Sequence, residues 1–213
     1  QDNDNVIIFA SGVSNSNESR KKEFEREYNL LSELTDKKQV LVYFSTCSLF
    51  DQTLANTPYV LHKKEIEKFI INNFENYIIF RIPTLIGETS NPHTLFNFFL
   101  NKIVSGKTIP VYKKASRYII DIDDISKILP YMIDNVNYWG QIVNVTFDKS
   151  ISTLDMIKVF EKELQLSANL EFLDKGQDLI VDNKVFLDLI KEIGFKVDPE
   201  YNVNLIKKYI GIH

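Results

Sequence analysis

Cysteine is all but missing from this 213-residue chain. Cys47 stands alone, so no internal disulfide forms, which suits a reducing compartment such as the cytoplasm. Long apolar runs are missing too. None approaches the roughly 20 residues a membrane helix needs, and the polar start Gln1–Asn5 does not read as a signal peptide. Charge of one sign is absent: 25 Lys and Arg stand against 29 Asp and Glu, a formal net charge of -4. With the basic residues scattered, a nucleic-acid surface is not expected, and neither is a membrane partner. The three histidines, His62, His93 and His213, show no metal-ligand spacing, so no metal site is expected. Repeats, low-complexity tracts and flexible linkers are also lacking. What is there is ordinary for a globular chain: 44% hydrophobic and 25% charged residues, enough to bury a core.

Strands and helices alternate along the sequence. Val6–Ala10 is a short apolar run ending at Gly12, as a buried parallel strand does. A helical pattern then places Phe24, Tyr28, Leu31 and Leu34 on one face. Val40–Phe44 reads as a second buried strand, followed by a polar turn at Ser45–Ser48. Thr57 caps a helix that Pro58 opens, with Ile66, Phe69 and Ile70 on its apolar face. Strands are expected at Tyr77–Ile82, Tyr118–Ile122, Gln141–Thr146 and Leu170–Leu173. Helices are expected at Thr94–Val104, from Asp123 or Asp124 through Met132, at Ser152–Leu164 and at Asp182–Ile193, the last closed by Gly194. Such alternation argues for a parallel α/β sheet. The stretch Gly87–Ser116 interrupts it and reads as an inserted lobe.

The chemistry is concentrated in Tyr59-Val-Leu-His-Lys63. Four residues apart on a helix, Tyr59 and Lys63 share a face. An ammonium favours a phenolate, so Lys63 is expected to lower the Tyr59 pKa and equip it to exchange a proton with a sugar hydroxyl. The spacing alone also fits a plain solvated helix face. Thirteen positions earlier, Phe44-Ser-Thr-Cys-Ser-Leu-Phe50 ends an apolar strand, and ligands in open α/β sheets bind outside the C-terminal strand ends. A hydroxyl there, Thr46 or Ser45, can hold a reacting oxygen; an ST-turn explains the same residues.

These segments, in this order, resemble the extended short-chain dehydrogenase/reductase family of nucleotide-sugar epimerases, dehydratases and reductases. Ile7-Ile-Phe-Ala-Ser-Gly12 resembles the family's fourth-strand segment, which implies that Ala10, Ser11 and Gly12 line the cofactor. Ser45-Thr46 resembles the end of its fifth strand, with Thr46 as the catalytic hydroxyl. Tyr59 and Lys63 match its catalytic Tyr and Lys, the Lys also reaching the nicotinamide ribose. Phe80-Arg-Ile-Pro-Thr-Leu-Ile-Gly87 resembles its Arg-x-x-Asn-x-x-Gly segment, with Pro83 near the nicotinamide. Arg117-Tyr-Ile-Ile-Asp-Ile-Asp-Asp124 resembles Arg-Asp-Tyr-x-His-Val-Asp-Asp, which implies that Arg117 meets the substrate's diphosphate. Asn144-Val145 and Ile151-Ser152 resemble its later motifs.

The resemblance implies a Rossmann-like doubly wound parallel sheet with a small C-terminal α/β substrate lobe. Residues 1–87 and 116–147 form the cofactor domain, and 88–115 with 148–213 the lobe. It implies NAD or NADP as cofactor, a nucleotide sugar as substrate, reduction or epimerisation as reaction, surface polysaccharide biosynthesis as setting, and a homodimer through helices 18–35 and 58–73. The chain departs from the family in having no Gly-x-x-Gly-x-x-Gly, the turn that seats a pyrophosphate on a helix N-terminus. The expectation is that about 30 to 60 residues precede Gln1; the rival is a binding or scaffold protein that has lost cofactor chemistry. The interval from Thr46 to Tyr59 is short for the family. Cys47 and Ser48 stand where 4,6-dehydratases carry Asp-Glu, which disfavours dehydration. Cys47 is read as a structural residue rather than a nucleophile. Asp121, Asp123 and Asp124 are read as cap and strand-end charges rather than a cation site. Lys113 and Lys114 are read either as a solvated run or as an attraction for the diphosphate.

Overall fold

The computed structural model describes residues 5–34 and 38–211. The elements, in chain order, are β1 (Val6–Phe9), α1 (Lys21–Ser32), β2 (Val40–Thr46), α2 (Pro58–Asn73), β3 (Tyr77–Ile82), β4 (Thr84–Ile86), α3 (Leu95–Val104), β5 (Ile109–Tyr112), β6 (Ser116–Arg117), β7 (Ile119–Asp121), α4 (Ile122–Ile133), β8 (Gln141–Asn144), β9 (Ile151–Ser152), α5 (Thr153–Leu164), β10 (Leu170–Leu173), α6 (Lys184–Glu192) and α7 (Tyr201–Ile210). They form two compact units, residues 1–82 with 128–145 and residues 83–127 with 146–213. Residues 83–87, 116–127 and 146–147, expected in the first unit, therefore group with the second.

The first unit is a four-stranded, wholly parallel sheet in the order β1-β2-β3-β8. β2 pairs in register on both sides, Val6 opposite Val40 and Leu41 opposite Tyr77. Its Val40–Tyr43 stretch is fully buried, which explains an apolar run without alternation. Each step from β1 to β2 to β3 crosses over through a helix. Right-handed crossovers moving one way along a sheet put α1 and α2 on the same face. Leu31 of α1 and Ile66 and Ile70 of α2 pack there against Phe9, Leu41, Tyr43 and Ile79. Val40, Val42, Ile78 and Phe80, of opposite parity on their strands, are buried as well, so both faces are covered. This is the Rossmann-like α/β arrangement expected of the alternating pattern.

The second unit holds three small sheets: β4 parallel to β7, β5 parallel to β10, and β6 antiparallel to β9. Its core joins α3, α5 and α7 through Phe96, Phe99, Phe160, Ile206 and Tyr209. Ring centroids of Phe96 and Phe160 lie 4.9 Å apart. Gly87–Ser116 is thus built into this unit as β4, α3 and β5.

Some local expectations shift. The buried positions of α1 are Glu27 and Leu31, while Tyr28 is 45% exposed. Tyr28 instead packs its ring at a tilt of 57° on Phe69, centroids 4.8 Å apart. The polar segment after β2 is not all turn: the strand runs on through Thr46, and a single 3-10 turn covers Cys47–Phe50. The cap of α4 is Asp121, whose carboxylate accepts from the Asp123 N–H at 2.9 Å, rather than Asp123 or Asp124. α7 was not anticipated at all, although Leu205, Ile206, Tyr209 and Ile210 bury one side of it.

Ile70 is fully buried and its neighbour Ile71 is 44% exposed. Ile70→Ala is expected to cost about 2–5 kcal/mol in urea denaturation. Ile71→Ala is expected to change stability by no more than about 0.5 kcal/mol.

Candidate functional site

Thr46, Tyr59 and Lys63 come together in the first unit. β2 carries Thr46 to its C-terminal end, where the side chain accepts from the Ser48 N–H at 3.1 Å. Asp51 then caps a second 3-10 turn at Gln52–Leu54. These two turns fold the short interval back, so that α2 starts beside the strand end. Thr57 caps α2 and Pro58 fills its first turn, as the sequence predicts. Tyr59 lies in that turn, buried, with its phenol close to Thr46, whose hydroxyl donates to Ser48 Oγ at 3.0 Å. Lys63 lies one turn on, only 2% exposed. Its Nζ sits 5.9 Å from the centroid of the Tyr59 ring, so the two residues do share a face.

Burial pushes the Tyr59 phenol above its usual pKa; the Thr46 hydroxyl pulls it down and the Glu27 charge raises it again. The net direction is upward, opposite to the expectation from Lys63 alone. The main reason is burial of the phenol, followed by the charge of Glu27, and Lys63 is not an isolated cation. Its ammonium donates to Glu27 Oε1 at 3.0 Å and to the Tyr43 hydroxyl at 2.8 Å. Burial depresses its pKa and the Glu27 carboxylate works against that depression. At neutral pH Tyr59 is therefore a protonated phenol, a proton donor.

Glu27 was not singled out in the sequence, yet it is the hub of this region. The side chain is completely buried on α1. Besides Lys63, it accepts from the Tyr43 hydroxyl at 2.6 Å and the Val13 N–H at 2.7 Å, and it meets His62 Nε2 at 2.9 Å. Burial alone raises a carboxyl pKa. Here His62, Lys63, Tyr43 and the Val13 N–H outweigh burial and hold the group at about 2. His62 is thus a packed residue, stacked on Phe24 at 4.6 Å between centroids. One signal was available: Glu27 falls at helical spacing from Phe24, Leu31 and Leu34, a carboxylate on an apolar face.

A second buried carboxylate, Glu67, lies one turn beyond Lys63 on α2. Arg81 grips it with a fork, Nε at 3.0 Å and Nη2 at 2.6 Å, and Ser45 donates to it at 2.6 Å. Ser45 is thereby committed to Glu67, which leaves Thr46 as the hydroxyl beside Tyr59. Cys47 is buried with Sγ 3.2 Å from the Arg81 carbonyl oxygen, and burial pushes its thiol up to about 12. Such a thiol is unreactive at neutral pH, as expected of a structural residue.

The other candidates divide between the units. Ala10 and Ser11 are exposed just after β1, and Gly12 is half-buried. A Cβ on Gly12 would lie 3.0 Å from Glu27 Oε1 and 3.1 Å from Lys63 Nζ. A side chain at this position would crowd the pair, and among the described residues two of the three Lys63 N–H groups have acceptors. A cradle kept open by a missing side chain, with an ammonium N–H to spare, fits a hydroxyl-rich group such as a ribose. Pro83 and Arg117 belong to the second unit, both half-buried. Arg117 Nη1 donates to the Ser116 carbonyl at 2.8 Å. In the same unit Lys208 bridges Asp121 at 2.8 Å and Asp123 at 2.6 Å. Tyr209 donates to Asp121 and Tyr201 to Asp124, each at 2.8 Å. These carboxylates anchor α7. Among the described residues no group of three or more His, Cys, Asp and Glu is placed to hold a metal ion, and no helix is long and apolar enough to cross a membrane. Lys114 pairs with Asp174 at 3.2 Å in an exposed bridge. His213 lies outside the described residues.

No protein-family model and no curated protein sequence matches the chain. Solved structures do. A dTDP-glucose 4,6-dehydratase from Bacillus anthracis, solved with NAD, matches at a TM-score of 0.75 and 15% identity, over 98% of this chain and 73% of that one. A dTDP-4-dehydrorhamnose reductase from Clostridium acetobutylicum gives 0.73 and 16%, over 98% and 80%. A UDP-glucuronic acid 4-epimerase from Bacillus cereus, a Tyr-to-Phe variant solved with NAD and a fluorinated UDP-sugar, gives 0.72 and 18%, over 98% and 76%. The chain thus has the fold of NAD-dependent nucleotide-sugar dehydratases, epimerases and reductases.

Glu27 is held far below the ordinary carboxyl value, so its contribution to stability is present above pH 4.5 and is lost as pH falls from 4.5 toward about 2. Acid titration of the unfolding free energy is expected to show a loss on the order of 3 kcal/mol across that window. Glu27→Gln is expected to flatten it.

Proposed function

We propose that this protein carries out NAD(P)-dependent reduction or epimerisation of a nucleotide-activated sugar, in the cytoplasm and in the service of surface polysaccharide synthesis. The observation that carries this reading is the buried Tyr59 phenol beside Thr46 at the C-terminal end of a central parallel strand, with Lys63 one turn on. The neighbours of like fold named above, several solved with NAD, support it. Thr46 orients the substrate oxygen and Tyr59 exchanges a proton with it. In the reducing direction the phenol proton goes to the carbonyl oxygen as the carbonyl carbon gains a hydride; its raised pKa suits the donor role. The nicotinamide, when bound, supplies that hydride. Ala10, Ser11 and Gly12 line the cofactor together with Pro83, and Lys63 offers its remaining N–H to the nicotinamide ribose. Arg117 takes the diphosphate, for which a guanidinium fork is suited.

A second reading is a non-catalytic binding or scaffold protein. It is favoured by the short Thr46–Tyr59 interval, taken up by two 3-10 turns. Fluorescence titration of the full-length protein with NADH and NADPH, followed by a panel of nucleotide sugars, separates the two. The catalytic reading expects cofactor binding and turnover of a 4-keto or 4-hydroxy sugar. Tyr59→Phe is expected to cut kcat by about 10²–10⁴ with cofactor binding retained. Failure of both cofactors to bind decides for the second reading.

A homodimer through α1 and α2 belongs to the same proposal. Tyr28 on α1 is 45% exposed and Leu61 on α2 is 46% exposed, apolar surface that such contact covers. Sedimentation velocity is expected to give a dimer, and the double substitution Tyr28→Glu, Leu61→Glu a monomer.

A further inference from the structure

We propose that Glu27 is a positioning residue for this reaction, holding the Lys63 ammonium charged and in place beside Tyr59 and tying both to the loop after β1. The inference rests on the catalytic reading above, and it concerns a residue that no sequence motif marked.

Four elements meet at this one carboxylate. Val13 N–H comes from the loop after β1, Tyr43 from β2, and His62 and Lys63 from α2, while Glu27 itself projects from α1. Lys63 is almost wholly out of water, and an ammonium there without a counter-charge gives up its proton. Among the described residues, Glu27 Oε1 is the only carboxylate oxygen bonded to it. A buried ion pair adds little to stability compared with apolar packing of the same volume, so its presence at a protein's core needs another reason. The surroundings supply one. The Lys63 Nζ faces the Tyr59 ring at 5.9 Å. The Gly12 backbone passes so near the pair that a Cβ would lie 3.0 Å from Glu27 Oε1. Arg26, one residue before Glu27, fastens the same loop through a 3.0 Å bond to the Ser11 carbonyl. α1 thus sets at once where the loop of Ala10–Gly12 runs and where the Lys63 charge sits.

The titratable groups facing the pair are Tyr43 from β2, Tyr59, His62 and Glu67 from α2, and, bound to Glu67, Arg81 from β3. Replacing Glu27 by Gln keeps the shape and removes the charge. Two effects follow, of the same sign. Lys63 loses its counter-ion and releases its proton at lower pH. Tyr59 loses the negative charge that opposes its phenolate and also ionises at lower pH. Reduction that uses a charged Lys63 and a protonated Tyr59 therefore fails at lower pH.

The test is the ionisation of Lys63 in full-length protein carrying 13Cε-labelled lysine, the Lys63 signal assigned by its loss in Lys63→Met. The NMR titration midpoint in Glu27→Gln is expected about one to three pH units below wild type. The basic limb of the kcat/KM profile for sugar reduction is expected to move the same way, and Glu27→Asp to restore part of both. A Lys63 midpoint and a basic limb unmoved in a folded Glu27→Gln protein overturn the proposal. If Glu27→Gln does not fold, Tyr43→Phe removes one acceptor from the same ammonium. A smaller shift in the same direction supports the proposal, and no shift overturns it. The lysine titration needs neither cofactor nor sugar. If the midpoint moves but neither NADH nor NADPH binds, the catalytic reading has failed while the hold of Glu27 on Lys63 stands.

Discussion

The first unit is organised around one buried ion pair, Glu27 with Lys63. Glu27 and Lys63 sit between α1, α2 and β2, among residues that are otherwise hydrocarbon. Two charges in that setting are tolerable only if they are paired and well hydrogen-bonded. The Tyr43 hydroxyl makes this possible by donating to the carboxylate and accepting from the ammonium, and His62 and the Val13 N–H complete the set. The order of the helices on the sheet, the path of the loop after β1 and the phase of α2 all follow from bringing those groups together. Tyr59 inherits its place from that phase, because it lies on the same face as Lys63.

The cluster of Thr46, Tyr59 and Lys63 is therefore not a feature placed on the surface of a finished fold. Thr46 is the last residue of a strand paired on both sides, and its backbone has little freedom. Beyond it, the chain makes two short 3-10 turns before α2. Glu67, Arg81 and Ser45 form a second polar node one turn along α2, which fixes the helix against β2 and β3. With two nodes on one helix, α2 is held in both position and rotation. The second unit uses the same device: the Asp121 carboxylate caps α4 and receives Tyr209 and Lys208 from α7.

The strand and helix pattern was legible because each element carries its own signal. Val40–Tyr43 reads as a strand buried on both faces, Thr57-Pro58 as a helix start, and Gly194, at φ +65°, as a helix stop. Tyr59 and Lys63 were legible as a pair because helical periodicity is local. α7 was less so: Tyr201, Leu205, Ile206 and Tyr209 carry a periodic pattern, but polar Asn202, Asn204 and two lysines dilute it. Tyr28 was assigned inward by periodicity, and the structure turns Glu27 inward instead, since its partners on β2 and α2 reward burial of the charge.

By itself, the sequence determined the parallel α/β class, the one-face relation of Tyr59 and Lys63, and the strand-end place of Thr46. These depend on spacings within a single element or across one short connection. Tertiary structure alone decided that Lys63 is neutralised by Glu27, that Tyr59 is a protonated phenol rather than a ready phenolate, and that Ser45 serves Glu67 while Thr46 meets Tyr59. Those facts depend on which side chains meet across 36 and 22 residues of chain. A pKa follows the field at a point in space, and periodicity along the chain carries no information about that field.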